Sequence, residues 1–256
     1  QLEKHRRLER QTQRNNTSTL QGCGHVNMSY HLGNHFPQSI KDFFWEHRDK
    51  TYKEAKTSFK ESKQPWMKLW IDAPYKEMLT EAKAIEQHFV KHRTNQSWRW
   101  LSICLHGIAN EATSIPEDHG YDNDTDLVWT EASKLCPVTT NYFKNVFPMD
   151  KYARLRFMLV KPGGYIQPHT DNNIMNPSYA INISLNNPNE CFLLTEKGNV
   201  PFEDSGSMFL FNNHYKHCVI NNSKNSDRYH MIVHGKWNDT FKELVRTSHE
   251  TQNNNS

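Results

Sequence analysis

The sequence predicts a mainly β protein with helices on its N-terminal side, an α+β chain built around a jelly-roll, cupin-like barrel. Three observations carry that expectation. After Asp150 the chain becomes a series of short runs, among them RLRFMLV, YAINISL, ECFLLTE, SMFLF and RYHMIVHGKW, divided by Gly, Pro and Asn. Seven or eight short strands at this spacing make a sandwich or barrel. Between Phe36 and Arg93 the apolar residues recur instead at helical spacing. Finally, the strand-like part carries a His-x-Asp pair, His169 and Asp171, a distant His217 and, eleven residues later, Arg228.

At 256 residues the chain supports one sizeable core. Hydrophobic residues are only 36%, yet thirteen Phe, ten Tyr and seven Trp need burial. Polar tails on a globular domain are therefore expected, not disorder throughout. A net charge of +3 is too small to imply a nucleic-acid or membrane partner. The five cysteines are odd in number and widely spaced, with no Cys-x-x-Cys. That argues against a secreted disulfide framework and a thiolate zinc site. Cys104, Cys191 and Cys218 lie in apolar runs and read as small buried hydrophobes. With no apolar run of transmembrane length and no signal-peptide pattern in this chain, a soluble, cytoplasmic protein is expected.

Residues 1–35 are basic and then polar, and are expected to form a flexible segment. Residues 36–97 are expected to be a helical support region. There IKDFFWEHRDK clusters Ile40, Phe43, Phe44 and Trp45, and PYKEMLTEAKAIEQHFVKHR starts on Pro74 and puts Met78, Ala82, Ile85 and Phe89 on one stripe. Trp66, Trp70, Trp98 and Trp100 are expected in the core around it. Residues 98–237 form the predicted barrel domain, opening with the strand WRWLSICLHG. The acidic loop NEATSIPEDHGYDNDTD lacks EF-hand spacing and is expected to be solvated, and Pro137 interrupts the helix after it. The polar tail 238–256 is expected to be disordered beyond its first turn or two.

Side chains alternate along a strand, so His169 and Asp171 share a face. With His217 from another strand they can take one face of an octahedron and leave three positions open. Two histidines and one carboxylate point to a non-haem Fe(II) that activates O2, whereas zinc favours a tetrahedral, His-rich set. His214 competes as the distal ligand, but it sits in the turn FNNHYK, whereas His217 opens the strand HCVI. On RYHMIVHGKW, Arg228, His230, Ile232 and His234 share a face; His230 and His234 read as rim or supporting residues. An inward guanidinium needs an anion, and a dicarboxylate co-substrate beside the metal would supply it. An ordinary surface ion pair is the competing reading of Arg228. On RLRFMLV, Arg154, Arg156 and Met158 share a face. Arg156 is therefore a candidate substrate contact, together with Gln167 of the metal-bearing strand; a loop aspartate is the competing partner for Arg156.

The segments KLCPVTTNYFKNV, MLVKPGGYIQPHTD and VPFEDSGSMFLFNNHYKHCVINNSKNSDRYHMIVHGKW occur in this order over about residues 98–237. Together they resemble the aspartyl/asparaginyl β-hydroxylase family of 2-oxoglutarate-dependent dioxygenases. The resemblance implies a double-stranded β-helix in which His169, Asp171 and His217 hold Fe(II) and Arg228 pairs with the distal carboxylate of 2-oxoglutarate. It also implies Asn182 as a co-substrate contact, at a place where animal members carry His or a similar polar residue. Met158 stands where members often have a co-substrate contact and cannot make that hydrogen bond. Some relatives have Gly in place of Asp171, and a complete carboxylate argues against halogenation. The implied reaction uses O2 and 2-oxoglutarate to hydroxylate an aliphatic C–H, with release of succinate and CO2.

The expected substrate is a small molecule or a peptide that bears a carboxylate, such as an amino acid or an Asp/Asn-type peptide residue. Two rivals stand beside this reading. One is a cupin-type metal barrel with non-oxidative chemistry, which 2-oxoglutarate dependence would separate. The other is a non-enzymatic binding scaffold, in which His169→Ala would leave function intact.

Overall fold

Alternation along the strands explains both faces of the sheet. In the computed structural model, which describes residues 31–50, 64–93, 95–122, 124–171, 179–202 and 205–254, the longest strand runs from Lys151 to His169. Its Leu155, Phe157 and Leu159 join one apolar cluster, and its Met158 and Val160 join a second. The first cluster packs the sheet against helices through Met78, Phe143 and Phe241; the second lies inside the barrel with Trp66, Trp100, Phe209 and Phe211. Each fully buried side chain of this size contributes about 1.5–3 kcal/mol.

The described residues form strands β1 (Trp66–Leu69), β2 (Val90–Lys91), β3 (Ser97–Gly107), β4 (Val128–Trp129), β5 (Lys151–His169), β6 (Tyr179–Ser184), β7 (Cys191–Thr195), β8 (Gly198–Asn199), β9 (Met208–Asn212), β10 (His217–Asn221) and β11 (Arg228–Lys236). They pair in the order β1-β9-β6-β11-β5-β10-β7-β8, with β3 joining β2, β4 and β5. Each pairing is antiparallel. The fold is a double-stranded β-helix. The helices are α1 (Gln38–His47), α2 (Tyr75–Ala84), α3 (Glu131–Lys134), α4 (Pro137–Asn145) and α5 (Asp239–Asn254).

Pro137 separates α3 from α4 because it opens a helix rather than continuing one. The α4 N-terminus is capped from α2: the Glu81 carboxylate accepts the amide hydrogens of Val138 and Thr139 at 2.8 and 3.0 Å and the Thr139 hydroxyl at 2.6 Å.

The Pro-Gly turn is an excursion within β5. On β3, Trp98 pairs with Tyr165 and Trp100 with Val160, so Lys161 to Gly164 loop out of the ladder. Gly163 has φ 72°, and a Cβ on Gly164 would lie 2.7 Å from the Lys161 carbonyl oxygen, so glycine is required at both places. Lys161 fastens the excursion through ion pairs with Glu86 and, at 2.8 Å, Asp227.

The structure departs from expectation at several places. Region 36–97 is not wholly helical: Trp66–Leu69 is a strand, because β9 offers a free ladder to it. The helix begun at Tyr75 stops at Ala84, and β2 then pairs with β3, so Ile85 and Phe89 are buried from non-helical positions. Trp66 and Trp100 are core residues, but Trp45, Trp70 and Trp98 are 49–58% exposed. The acidic loop is not solvated at its start, where Ala112, Thr113 and Ser114 are buried. Residues 1–30 lie outside the described residues, and with them most of the expected flexible segment and Cys23.

The tail is a sixteen-residue helix. Phe241 lies with its ring centroid 5.3 Å from Trp237 and 5.8 Å from Phe147, and the Ser248 hydroxyl accepts the Trp70 amide hydrogen at 3.0 Å. Because Phe241 is fully buried, Phe241→Ala should cost about 3–5 kcal/mol, read as a lower urea midpoint. A tail that merely rests on the surface would show no change.

Candidate active site

β5 ends in His169, β10 begins with His217, and the two residues face each other in the ladder. Their rings lie 4.3 Å apart, and Asp171 follows two residues later, with Asp171 Oδ1 3.6 Å from His169 Nε2. One donor atom from each of the three lies within 4.8 Å of the others. Both histidines are oriented by backbone: Nδ1 of His169 meets the Gln167 carbonyl, and Nδ1 of His217 meets the Tyr215 carbonyl, each at 2.8 Å. Those bonds place the proton on Nδ1 and leave the Nε2 lone pairs free for a cation. Asn213 holds Asp171 from both ends: its carbonyl accepts the Asp171 amide hydrogen at 3.1 Å, and its side chain donates to Oδ2 at 3.4 Å. Burial lowers the pKa of His217 to about 4, with His169 as the next cause. Burial pushes Asp171 the other way, but His217, His169 and Arg93 outweigh it and hold the carboxyl below its ordinary range. Two imidazoles and one carboxylate at these distances fit a divalent metal. His214 is exposed, which leaves His217 as the distal member.

The triad opens on a cavity inside the barrel. Its β11 wall consists of Arg228, His230, Ile232 and His234, as strand alternation requires, and its β5 wall includes Arg154, Arg156 and Met158. Asn182 of β6 lines it too, opposite Ile232. Arg228 is 5% exposed, has no carboxylate partner among the described residues, and uses one N–H on His230 Nδ1 at 3.2 Å; its Nε is buried with no partner among them. Burial lowers its pKa to about 10. The surface-ion-pair reading of Arg228 is therefore wrong. Arg156 donates to the Thr113 carbonyl rather than to a loop aspartate, and its Nε is also buried without a partner.

One placement differs from the sequence reading. Gln167 is not brought to the cavity, because its side chain accepts a hydrogen bond from Ser39 of α1 at 2.6 Å. An irregularity in the β5–β10 ladder between His169 and Ile166 resets the alternation and turns Ile166 inward instead. His230 and His234 are 1% and 3% exposed, which excludes the rim and leaves the supporting reading, met at His230 by its hydrogen bond from Arg228. The structure adds His92 and Arg93, at the end of β2, to the cavity wall. Arg93 adopts φ 47° and brings Nη1 within 3.7 Å of Asp171 Oδ1. Only its position just ahead of the barrel strand WRWLSICLHG hinted at this.

The buried histidines make stability depend on pH. Burial, followed by neighbouring arginines, holds His92, His230 and His234 well below the ordinary value of 6.5; burial, followed by Lys144, takes His106 to about 4. Between these values the unfolded chain binds protons that the folded chain refuses, so stability is lost as pH falls below 6.5. Each histidine should cost up to about 1.4 kcal/mol per pH unit in this window. Urea unfolding at pH 7.5 and pH 5 checks this; equal midpoints would refute it.

A barrel of this type with an inward His-x-Asp…His set is the framework of a non-haem dioxygenase. Residues 66–236 match the family model described as "Aspartyl/Asparaginyl beta-hydroxylase". The match spans well over half of the chain, and the chain belongs to the aspartyl/asparaginyl β-hydroxylase family. A comparison with curated proteins finds no match. Similar solved structures include a prolyl-4-hydroxylase of Pseudomonas putida, at 12% identity over 68% of this chain and 94% of that one, TM-score 0.41. A prolyl hydroxylase of Trichoplax adhaerens, in complex with a hypoxia inducible factor peptide fragment, is similar at 14% identity over 72% and 86%, TM-score 0.39. An oxidoreductase of the 2OG-Fe(II) oxygenase family from Burkholderia pseudomallei is similar at 13% over 61% and 77%, TM-score 0.38. Among the described residues no helix is long and apolar enough to cross a membrane.

Proposed function

We propose that His169, Asp171 and His217 hold Fe(II), that Arg228 binds the distal carboxylate of 2-oxoglutarate, and that the enzyme hydroxylates an aliphatic C–H of a carboxylate-bearing substrate. The observation that carries this reading is the presence, in one cavity, of a three-donor cluster and a buried guanidinium with no carboxylate partner. When bound, the iron supplies O2 activation coupled to decarboxylation of the 2-oxo acid to succinate and CO2.

The residues' own part is positioning. The carbonyls of Gln167 and Tyr215 hold the two imidazoles in the ligating tautomer, and Asn213 fixes the carboxylate. The planar fork of Arg228 suits a carboxylate, and Asn182 brings an amide that can donate to the same co-substrate. Met158, Ile166, Phe211 and Ile232 line the space between with apolar surface and keep it dry. Arg156 supports a carboxylate on the substrate, such as an amino acid or an Asp/Asn-type peptide residue, because its Nε faces no acceptor.

The test is an anaerobic titration of metal-stripped protein with Fe(II) and then 2-oxoglutarate. A weak visible charge-transfer band should need both additions and vanish in His217→Ala. If iron binds and no band forms, the co-substrate assignment fails, and the cupin-type reading takes its place.

A further inference from the structure

The Arg228 side chain does little to fix its own direction. It gives one N–H to His230 Nδ1 at 3.2 Å, and its Nε is buried with no partner among the described residues. Its aim therefore depends on the backbone that carries it. β5 flanks that backbone on one side, with Val160 opposite Arg228. On the other side β6 ends at Ser184, opposite His230 and two residues short of Arg228. Successive residues of a strand turn their N–H and C=O groups to alternate sides. The groups left facing the missing end of β6 are those of Asp227 and Tyr229, the two neighbours of Arg228.

Asn186 occupies that gap. Its Nδ2 donates to the Asp227 carbonyl at 2.7 Å, and its Oδ1 accepts the Tyr229 amide hydrogen at 2.6 Å. One side-chain amide thus supplies the donor and the acceptor that a strand would supply from its main chain, one on each side of Arg228. The main-chain amides of Leu185 and Asn186 also donate to the Tyr229 carbonyl, at 3.1 and 3.3 Å. The side chains of the same two neighbours are tied on the outer face, Asp227 to Lys161 at 2.8 Å and Tyr229 to Glu86. The Lys161 pairs lie partly in solvent, where an ion pair adds little. The Asn186 bracket is different in kind, because its loss strands two main-chain groups that no ladder can take up.

We infer that Asn186 is a positioning residue for the co-substrate. It is not on the cavity wall and acts through Arg228, by holding β11 so that the guanidinium faces the ligand. This rests on the role given to Arg228 above. A long side chain magnifies any turn of its own backbone, and a misplacement of about 1 Å can cost up to about a hundredfold. The metal donors are carried by β5 and β10, whereas Asn186 braces β11. The effect should therefore fall on the co-substrate and spare the metal.

The experiment is calorimetric titration of Mn(II)-loaded protein with 2-oxoglutarate, with Mn(II) affinity measured separately by electron paramagnetic resonance. Asn186→Ala should weaken 2-oxoglutarate by about tenfold or more and leave Mn(II) affinity within about twofold. Asn186→Ser keeps one short hydroxyl for one of the two main-chain groups. It should show the same pattern at about threefold, and it serves if the Ala variant does not fold. In an Arg228→Met background Asn186→Ala should add no more than about twofold, because no guanidinium is left to aim. Unchanged 2-oxoglutarate affinity in a folded variant, a parallel loss of Mn(II) affinity, or a full further loss in the Arg228→Met background overturns the inference. Failure of the function proposed above looks different: Arg228→Met would then bind 2-oxoglutarate as tightly as wild type.

Discussion

Replacing Asp171 with Ala is expected to lower coupled turnover by about a thousandfold or more, with the protein still folded. The carboxylate is one of three donors, and its loss leaves two imidazoles that cannot fix a metal on one face. A side chain 27% exposed at the end of β5 has little packing to lose, so stability should move by less than about 1 kcal/mol. Arg93 and Asn213 would lose their acceptor, which adds disorder where order is needed. Succinate release, measured across an iron titration, gives the answer. Near-wild-type turnover at ordinary iron would remove Asp171 from the ligand set.

Arg228→Met is expected to act in two directions. Affinity for 2-oxoglutarate should fall by about a hundredfold, within the 2–5 kcal/mol expected when one member of a buried charge pair is removed. In the absence of ligand the same change should raise stability by about 1 kcal/mol or more, because a buried cation with an unpartnered Nε is replaced by a side chain of similar length and no charge. Wild-type protein should therefore gain melting temperature when 2-oxoglutarate is added, and the variant should begin higher and gain nothing. A variant that melts lower than wild type and still responds to 2-oxoglutarate would mean that Arg228 holds the barrel together instead.

Much of this was legible in the sequence, for a definite reason. Period-two alternation fixes a face, so Arg154, Arg156 and Met158 on β5, and Arg228, His230, Ile232 and His234 on β11, could be grouped before any contact was known. What alternation could not supply was phase across an irregularity, and Gln167 fell on the wrong face at the β5–β10 shift. Nor does local pattern see tertiary pairing. WMKL reads as nothing in particular until β9 lies beside it. In the C-terminal helix a narrow stripe, Phe241, Val245 and Ser248, is buried, and the surrounding polar residues conceal it. His92 and Arg93 are about eighty residues distant from the triad in sequence, and only the closure of the barrel brings them to it.

The looped-out stretch in β5 has a bearing on how freely this chain can vary. Trp98 and Trp100 grip Tyr165 and Val160, so the spacing between Arg156 and the His169–Asp171 pair is set by β3. The number of residues spent between Val160 and Tyr165 does not enter. Lys161 to Gly164 is a length buffer: extra residues spliced between Pro162 and Gly163 would accumulate outside the ladder and leave the distance from Arg156 to His169 as it is. A single residue added after Leu155, inside the paired run, would instead turn Arg156 and every side chain from there to the buffer to the opposite face. Tolerance and intolerance to insertion lie side by side on one strand.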